Sequence, residues 1–393
     1  MDRVRNPYAP GAGNPPPELA GRSSVLDDAR VALQRIAIGR AAQSSILVGL
    51  RGVGKTVLLV RIKEIAEEQS YKTHIVEAHE AKPFAELIAP GLRSLLLSLS
   101  RFENGKDKVR RGLRVLKSFL GSIKVKVGEL DIELGIESET GVADSGDIEV
   151  DLPNLFLAVG DAAKAVGCPV ALFVDELQYL SEKEFSALIM SIHKISQAQL
   201  PLTLIGAGLP QILGLAGESK SYSERLFRYP KIGALDEIDA EAAIAGPAIA
   251  EGASFKPEAI KEILRVTERY PYFLQQWAHD AWNIASGPSI TYGDVVRATD
   301  ISIRTLDESF FRVRFDRCTP SEKRYMRALA EFGPGAHRSG DVADCLGLKT
   351  TSVGPTRGKL IKKGMIYSPQ HGDTAFTVPL FDSYMRRVMP TLE

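Results

Sequence analysis

Residues Ser45–Thr56 read SILVGLRGVGKT, and this stretch decides the fold. Ser45–Val48 has the composition of a short apolar strand, and Gly49–Thr56 fits the phosphate-loop pattern G-x-x-x-x-G-K-[ST]. Val57–Glu68 continues with the apolar spacing of an amphipathic helix. A strand, a glycine-rich loop and a helix in this order present backbone N–H groups and the positive end of the helix dipole to phosphate oxygens. The stretch therefore predicts nucleotide binding by an α/β fold.

The positions of this phosphate loop have separate predicted roles. Lys55 places a positive charge on the β and γ phosphates and assists catalysis there, and the Thr56 hydroxyl provides a ligand for Mg²⁺. The predicted nucleotide-binding residues are the consecutive positions Gly49, Leu50, Arg51, Gly52, Val53, Gly54, Lys55, Thr56 and Val57. The predicted ligand is a nucleoside phosphate accompanied by Mg²⁺.

An acidic pair follows a second apolar strand. Val170–Val174 reads VALFV, and Asp175 and Glu176 come directly after it. Ligands bind at the carboxyl ends of parallel strands, so this position suits two carboxylates that act on a bound nucleotide. We assign Asp175 to the metal and Glu176 to the base that polarises the attacking water. The competing interpretation is a chance acidic pair at a strand end.

Strands alternate with helices in the first 235 residues, and this alternation predicts a parallel sheet with helices on both faces. Between about Asp236 and Phe311 we expect only helices. The chain has 393 residues, enough for two or three domains of ordinary size. The predicted organisation is an extended Pro-rich arm (1–21), a nucleotide-binding core (22–235), a helical lid (236–315) and a C-terminal domain (316–393).

Charge is segregated between residues 101 and 151, which we interpret as an insert in the core. Arg101–Lys126 has a net charge of +7, and Val127–Asp151 has a net charge of −9. Alternation of polar and apolar residues about Gly128 predicts a β-hairpin after a basic helix. A solvated hairpin is one interpretation, and an element that contacts DNA or a second subunit through Lys106–Lys117 is the other.

The chain resembles the AAA+ and STAND P-loop ATPases. The loop GLRGVGKT, the strand VALFVDE and the helical region with its C-terminal tail are similar to the initiator-type, origin-recognition-like members and to archaeal-ATPase-like proteins. The resemblance implies ATP or ADP as ligand, Mg²⁺-dependent ATP hydrolysis, an α-helical lid and a C-terminal winged helix. It also implies that Arg22 lies near the adenine and that ATP-bound copies assemble into a homo-oligomer.

The same resemblance places an arginine finger, which reaches the γ-phosphate of a neighbouring copy, just before residues 231–235. We favour Arg225 over Arg228 for this catalytic role because an arginine there stabilises charge in the transition state. The competing interpretation is that both are surface charges or partners in ion pairs within the chain.

Two motifs of the AAA+ pattern are missing. The position of the first sensor, at the end of the strand after the acidic pair, reads Gly206-Ala207-Gly208 and offers no polar side chain. Tyr270-Pro271-Tyr272-Phe273 replaces the arginine of the second sensor and is more similar to the lid motif of STAND proteins. We therefore expect slow hydrolysis and a switch rather than a motor.

The C-terminal domain has a small basic excess, a net charge of +4 over residues 316–393. Helices are predicted at Pro320–Glu331, Ser339–Leu346 and Thr351–Lys363, followed by two short extended segments. Basic residues on or beside the third helix suit phosphate contacts in a helix-turn-helix geometry. These residues are Lys349, Arg357, Lys359, Lys362 and Lys363.

Three functional hypotheses remain open. The first is an ATPase of initiator, transposition-helper or defence type whose nucleotide state controls oligomerisation and DNA binding through residues 349–363. The second is a STAND-like signalling switch whose C-terminal domain and insert bind proteins. The third is a monomeric ATPase.

Composition excludes several other classes. Acidic and basic residues number 49 each, so the chain is not a globally basic nucleic-acid binder. Three scattered cysteines do not form a disulfide framework, and we expect reduced thiols and a cytoplasmic protein. The uncharged stretch from Ile195 to Gly217 contains prolines, glycines and glutamines, so we expect a strand, a turn and a short helix rather than a membrane span.

Overall fold

A parallel β-sheet organises the first part of the chain in the computed structural model. The structure describes residues 1–11, 13, 16–17, 19–123, 137–219 and 223–392. In this described part the sheet has the strand order β2-β3-β4-β1-β5, with β6 also paired to β1. The strands are β1 (Ser44–Gly49), β2 (Lys72–Glu77), β3 (Val170–Asp175), β4 (Leu202–Gly208), β5 (Phe227–Arg228) and β6 (Lys231–Ile232).

The predicted α/β fold class is confirmed. β1, β3 and β4 have mostly buried side chains, as their continuous apolar sequences predict for the centre of a parallel sheet. The flanking helices are α1 (Ser23–Ala37), α2 (Lys55–Glu68), α3 (Phe84–Leu99), α4 (Lys106–Ser122), α5 (Ile148–Val166), α6 (Glu182–Gln197), α7 (Ile212–Ser219) and α8 (Ser223–Leu226). Leu177–Tyr179 forms a short 3₁₀ turn after β3.

The chain forms two compact units. The sheet unit contains Ser24–Val48 and Leu58–Lys231. The helical unit contains Met1–Ser23, Gly49–Val57 and Ile232–Glu393. The phosphate loop thus groups with the second half of the chain, whereas the acidic pair lies in the sheet unit. The four domain boundaries expected from the sequence stay a prediction.

The basic helix α4 is part of the core of the sheet unit. Its apolar face, which includes Leu116 and Phe119, is fully buried. On its polar face Arg111 and Arg114 form ion pairs with Glu139, at 3.2 and 2.9 Å. The described end of the acidic stretch therefore neutralises part of the basic helix within the same chain. The predicted β-hairpin lies mainly in residues 124–136, outside the described residues.

Asp151 is a buried carboxylate, although the sequence suggested a solvated acidic stretch. Its side chain is completely buried and accepts hydrogen bonds from Ser122, Ser145 and Gly146, at 2.8 to 3.2 Å. These bonds fix the turn that leads into α5. The sequence analysis did not predict this helix because acidic residues crowd its start and Pro153 lies inside it.

We predict that Asp151→Asn lowers the free energy of unfolding by about 2 kcal/mol, because an amide NH₂ would face N–H donors and charge-assisted bonds would be lost. Urea denaturation followed by circular dichroism measures the change. Asp161→Asn on the exposed side of the same helix is the matched control and should be close to neutral. Equal stability of the two variants would contradict the structural role of Asp151.

The helical unit contains the lid and the C-terminal elements. Its helices are α9 (Glu237–Ala250), α10 (Pro257–Thr267), α11 (Pro271–Ile284), α12 (Tyr292–Thr305), α13 (Arg312–Asp316), α14 (Pro320–Glu331), α15 (Ser339–Cys345), α16 (Thr350–Lys362) and α17 (Phe381–Val388), with a π-helical turn at Leu306–Phe311. Its strands are β7 (Ser254–Phe255), β8 (Ser289–Ile290), β9 (His337–Arg338), β10 (Ile366–Tyr367) and β11 (Asp373–Phe376).

One expectation for the lid is wrong. β7 and β8 pair in parallel within the region where we expected only helices. Each of the two strands has two residues, which are too few to show an alternating polar and apolar pattern in the sequence. Phe273, Trp277 and Trp282 belong to the core of the lid, because all three are at most 3% exposed.

The N-terminal arm packs on the lid helices. Tyr8 is 3% exposed and its hydroxyl donates to the carbonyl of Ile244. Asn6 donates to the carbonyl of His279 at 3.0 Å, and the indole of Trp282 donates to the carbonyl of Asp2 at 2.9 Å. Residues 2–8 are thus held by contacts with the lid rather than by secondary structure of their own.

The C-terminal elements are three helices, α14 to α16, and a three-stranded antiparallel sheet of order β10-β11-β9. All three helices were predicted from the sequence, whereas α17 was not. Two of the basic residues considered for DNA binding have partners within this region. Arg357 donates to Thr374, Ser368 and the carbonyl of Asp373, each at 2.8 Å. Lys363 pairs at 2.7 Å with Glu322, which is 1% exposed.

In the described ranges, no helix is both long and apolar enough to cross a membrane. The uncharged stretch that begins at Ile195 instead forms the end of α6, the buried strand β4 and the short helix α7. The prediction of a strand, a turn and a short helix there is confirmed.

Candidate nucleotide site

The phosphate loop connects β1 to α2, as the sequence predicts. Lys55 opens the helix, and its ammonium group donates to the carbonyl oxygens of Gly49 and Leu50, at 3.0 and 2.8 Å. Gly52 and Gly54 have φ angles of +80° and +88°, which glycine adopts without steric cost. The lysine side chain thus reaches across the first half of the loop, where the phosphate-loop pattern places it.

Three residues outside the loop bind its backbone. The carbonyl of Thr377 accepts from the N–H of Arg51 at 2.9 Å, and the N–H of Tyr272 donates to the carbonyl of Gly52 at 3.1 Å. Arg22 donates through Nη2 to the carbonyl of Gly233 at 2.6 Å and to the carbonyl of Val53 at 3.4 Å. Tyr272 and Thr377 bind the loop through backbone groups only. The sequence analysis placed Tyr272 in the lid motif but did not predict this bond, and it did not select Thr377.

Arg22 is held in a largely buried position. It is 9% exposed, and burial lowers the pKa of its guanidinium while the nearby charge of Asp239 opposes this effect. Gly21 precedes it with a φ of +67°, and an added Cβ there would overlap the Asp239 carboxylate. The glycine therefore lets the chain pass Asp239 and aim Arg22 at the loop.

Carboxylates collect at the carboxyl ends of two neighbouring strands. Glu77 on β2 and Asp175 on β3 are register partners, and Glu176 follows directly. Partial burial raises the pKa of Glu77, and the negative charges of Asp175 and Glu176 raise it further. A divalent cation would relieve this repulsion, and carboxylate oxygens are the ligands that Mg²⁺ prefers. In the described residues, however, no group of three or more His, Cys, Asp or Glu side chains is placed to hold a metal ion, so the metal role of Asp175 stays a prediction.

Glu176 has a strained backbone and an oriented side chain. Its φ of +55° is uncommon for a residue other than glycine, and its N–H donates to Asp175 Oδ1 at 2.8 Å. Gln178 donates to the Glu176 carboxylate and accepts the N–H of Leu209 at 3.0 Å. Sequence reasoning did not select Gln178, although a polar residue two positions after the acidic pair was a usable signal.

The comparisons with known proteins agree with this geometry. Residues 18–205 match the family model described as AAA ATPase domain. This part of the chain is therefore similar to AAA ATPase domains. Residues 308–385 match a second model, described as Domain of unknown function (DUF8462).

Among curated proteins, the chain is similar to origin recognition complex subunit 4 of Cricetulus griseus, with 24% identity over 176 residues. This match covers 44% of the chain and 32% of the relative, so the chain spans about a third of the length of that protein. The Walker-type ATPase of Pyrococcus abyssi shares the fold with a TM-score of 0.57 and 15% identity, over 94% of this chain and 96% of the other. The predicted resemblance to AAA+ ATPases is confirmed.

The end of β4 is closely packed. An added Cβ at Gly206 would overlap Leu177, and one at Gly208 would overlap Ile212. Both neighbours are fully buried. Packing therefore explains why no larger polar side chain occupies the position of the first sensor.

The two arginines considered for a finger differ in their surroundings. Arg228 forms a 2.9 Å ion pair with Asp28. Arg225 is exposed on the short helix α8, and its backbone carbonyl accepts from Gln43 at 2.8 Å. The preference for Arg225 over Arg228 stays a prediction.

We predict that Gly49→Ala lowers the free energy of unfolding by about 2 kcal/mol, because its Cβ would overlap the carbonyl oxygen of Ile232. Thermal unfolding followed by circular dichroism measures the effect. Gly214→Ala is the matched control, because nothing lies within 4 Å of its Cβ position on α7. The control should keep or slightly raise the stability, since alanine favours a helix over glycine. A Gly49→Ala protein as stable as the control would contradict the packing.

Proposed function

We propose that this protein binds and slowly hydrolyses ATP with Mg²⁺, and that its nucleotide state controls self-assembly and DNA binding. The observation that carries the nucleotide part is the loop Gly49–Thr56, in which Lys55 folds over the first carbonyls at the start of α2. The match to the AAA ATPase domain supports the same ligand.

Each residue of the site has a chemical task in this proposal. The loop amides and Lys55 bind the phosphates, and Thr56 and Asp175 are the ligands for Mg²⁺. The metal ion would neutralise charge on the phosphate oxygens. Glu176 accepts the proton of the attacking water, and Gln178 keeps its carboxylate oriented. With glycines at the end of β4, no polar group there assists the reaction, which supports slow turnover.

We predict that Gln178→Met lowers the ATP hydrolysis rate about tenfold while ATP affinity changes less than twofold, because the bond that orients Glu176 is lost but no phosphate contact is. Glu176→Gln should bind ATP and lose almost all turnover. Phosphate release and fluorescent-nucleotide titration measure the two quantities. If Gln178→Met left the ATP hydrolysis rate unchanged, Gln178 would have no role in orienting Glu176 for catalysis.

Self-assembly is proposed through Arg225. It is exposed, whereas Arg228 has an ion-pair partner within the sheet unit. An exposed arginine at this place is available to the γ-phosphate of a neighbouring copy, where it would complete that copy's site. The curated relative is named as a subunit of a complex, which supports assembly but does not specify the stoichiometry.

DNA binding is proposed through α16. The three helices and the antiparallel sheet of the C-terminal elements support a winged helix, with α16 as its third helix. Arg357 and Lys363 already bond to other residues of the helical unit. The residues that we propose to contact DNA phosphates are therefore the exposed Lys349, Lys359 and Lys362.

A STAND-like signalling switch is the second candidate. The bond between the N–H of Arg51 and the carbonyl of Thr377 favours it, because it joins the phosphate loop to the end of β11 in the C-terminal elements. In that case nucleotide binding would alter how these elements bind a protein partner rather than DNA.

Mass photometry of the wild type and of Glu176→Gln tests these proposals, with ATP, ADP or no nucleotide, each with and without a random DNA duplex. We predict growth in mass only when ATP and DNA are both present, because both ligands are needed for assembly. Growth with ATP alone would favour the signalling switch. No growth despite tight ATP binding would overturn both assembly proposals and leave a monomeric ATPase.

A matched pair of charge reversals tests the DNA surface. Lys359→Glu with Lys362→Glu should weaken DNA binding at least tenfold at about 0.1 M salt, because phosphate contacts become repulsive. Lys256→Glu with Lys261→Glu reverses two other exposed lysines of the helical unit and should have little effect. If both double variants lost the same DNA affinity, the net charge of the protein and not the surface of α16 would determine DNA binding.

A further inference from the structure

The peptide groups of the phosphate loop face two different ways. The carbonyl of Leu50 accepts from Lys55, and the N–H of the same peptide group, that of Arg51, donates to Thr377. In a planar trans peptide the C=O and the N–H point in opposite directions. The first half of the loop therefore turns its carbonyls toward the lysine and its N–H outward.

The carbonyls in the second half of the loop have different partners from those in the first half. Tyr272 holds the carbonyl of Gly52, and Arg22 holds the carbonyl of Val53. By the same geometry the N–H groups of Val53 and Gly54 point away from Tyr272 and Arg22. The change of partner occurs between the carbonyls of Leu50 and Gly52, and Gly52 has a φ of +80°, which is open to glycine at no cost.

Bonds from outside the loop thus set which way its amides point. Phosphate oxygens need N–H groups that are already turned toward them, because each carbonyl left facing an anion would repel it. Of these three residues, Arg22 is the one that the sequence analysis assigned to the nucleotide site. The resemblance to the AAA+ and STAND ATPases implied that it lies near the adenine. Its hydrogen-bond partners in the structure are the carbonyls of Val53 and Gly233.

We propose that Arg22 is a positioning residue for phosphate binding, which orients the amides of Val53 and Gly54 by holding the Val53 carbonyl. It acts through the loop rather than on the base. The bond to Gly233 anchors the guanidinium, and the bond to Val53, which is the longer of the two, transmits its position to the loop. This proposal rests on the proposed nucleotide binding and assigns a different role to one residue of that site.

Inorganic tripolyphosphate separates the two roles, because it carries the phosphates without a base. Isothermal titration of the full chain measures its affinity and that of ATP. Arg22→Met should weaken both ligands by the same factor, about tenfold, since a charged donor to the loop is lost. Arg22→Lys, which keeps a charged donor, should recover part of the affinity. Arg304→Met, on the exposed side of α12, is the matched control and should leave both affinities unchanged.

Hydrogen–deuterium exchange of the nucleotide-free protein gives a second readout. Peptides that cover residues 49–57 should exchange faster in Arg22→Met than in the wild type, whereas peptides from α6 should not. This measurement also distinguishes a loosened loop from general unfolding.

Several outcomes would overturn the positioning role. If Arg22→Met weakened ATP binding but left tripolyphosphate binding unchanged, Arg22 would act on the adenine and not through the phosphate loop. Unchanged affinity for both ligands would give it no role in the site. If the wild type bound neither ATP nor tripolyphosphate, the proposed function itself would fail, and faster loop exchange in Arg22→Met would still support the positioning role.

Discussion

The backbone polarity of the phosphate loop is the constraint on which the proposed chemistry depends. Between the end of β1 and the start of α2, the loop has no regular secondary structure to satisfy its own N–H and C=O groups. Arg22, Tyr272 and Thr377 supply the missing partners from three distant parts of the chain. The loop consequently belongs to the same compact unit as the lid and the C-terminal elements. A nucleotide that binds this loop acts on groups already bonded to those elements.

Two buried carboxylates, one in each unit, have structural partners outside the proposed site. Asp151 accepts bonds from serine and glycine groups at the start of α5, and Glu322 pairs with Lys363 beneath α16. Burial alone would raise the pKa of Glu322, but Lys363 and the Thr319 N–H bring it below its usual value. The stability that this pair contributes is therefore present above about pH 4.5 and is lost as the pH falls through the lowered pKa. We therefore assign these residues to stability and not to ligand binding.

The departures from the AAA+ pattern have physical explanations in the sheet unit. Glycines at the end of β4 accommodate Leu177 and Ile212, which fill the space of a polar side chain. Gln178 is instead the polar group that joins Glu176 to the backbone after β4. The site thus retains an oriented carboxylate without a sensor residue on the strand itself.

The sequence by itself determined the phosphate loop, the acidic pair after β3, the parallel sheet and most helices, because local patterns of apolar spacing and glycine placement encode them. Helix α5 and the strands β7 and β8 were missed because charge, proline and short length obscure such patterns. Only the tertiary structure decided that Arg22 bonds the loop, that Tyr272 and Thr377 contribute backbone groups, and that Lys363 has a buried partner. Backbone hydrogen bonds between residues far apart in sequence do not depend on residue type, so the pattern of side chains along the sequence does not predict them.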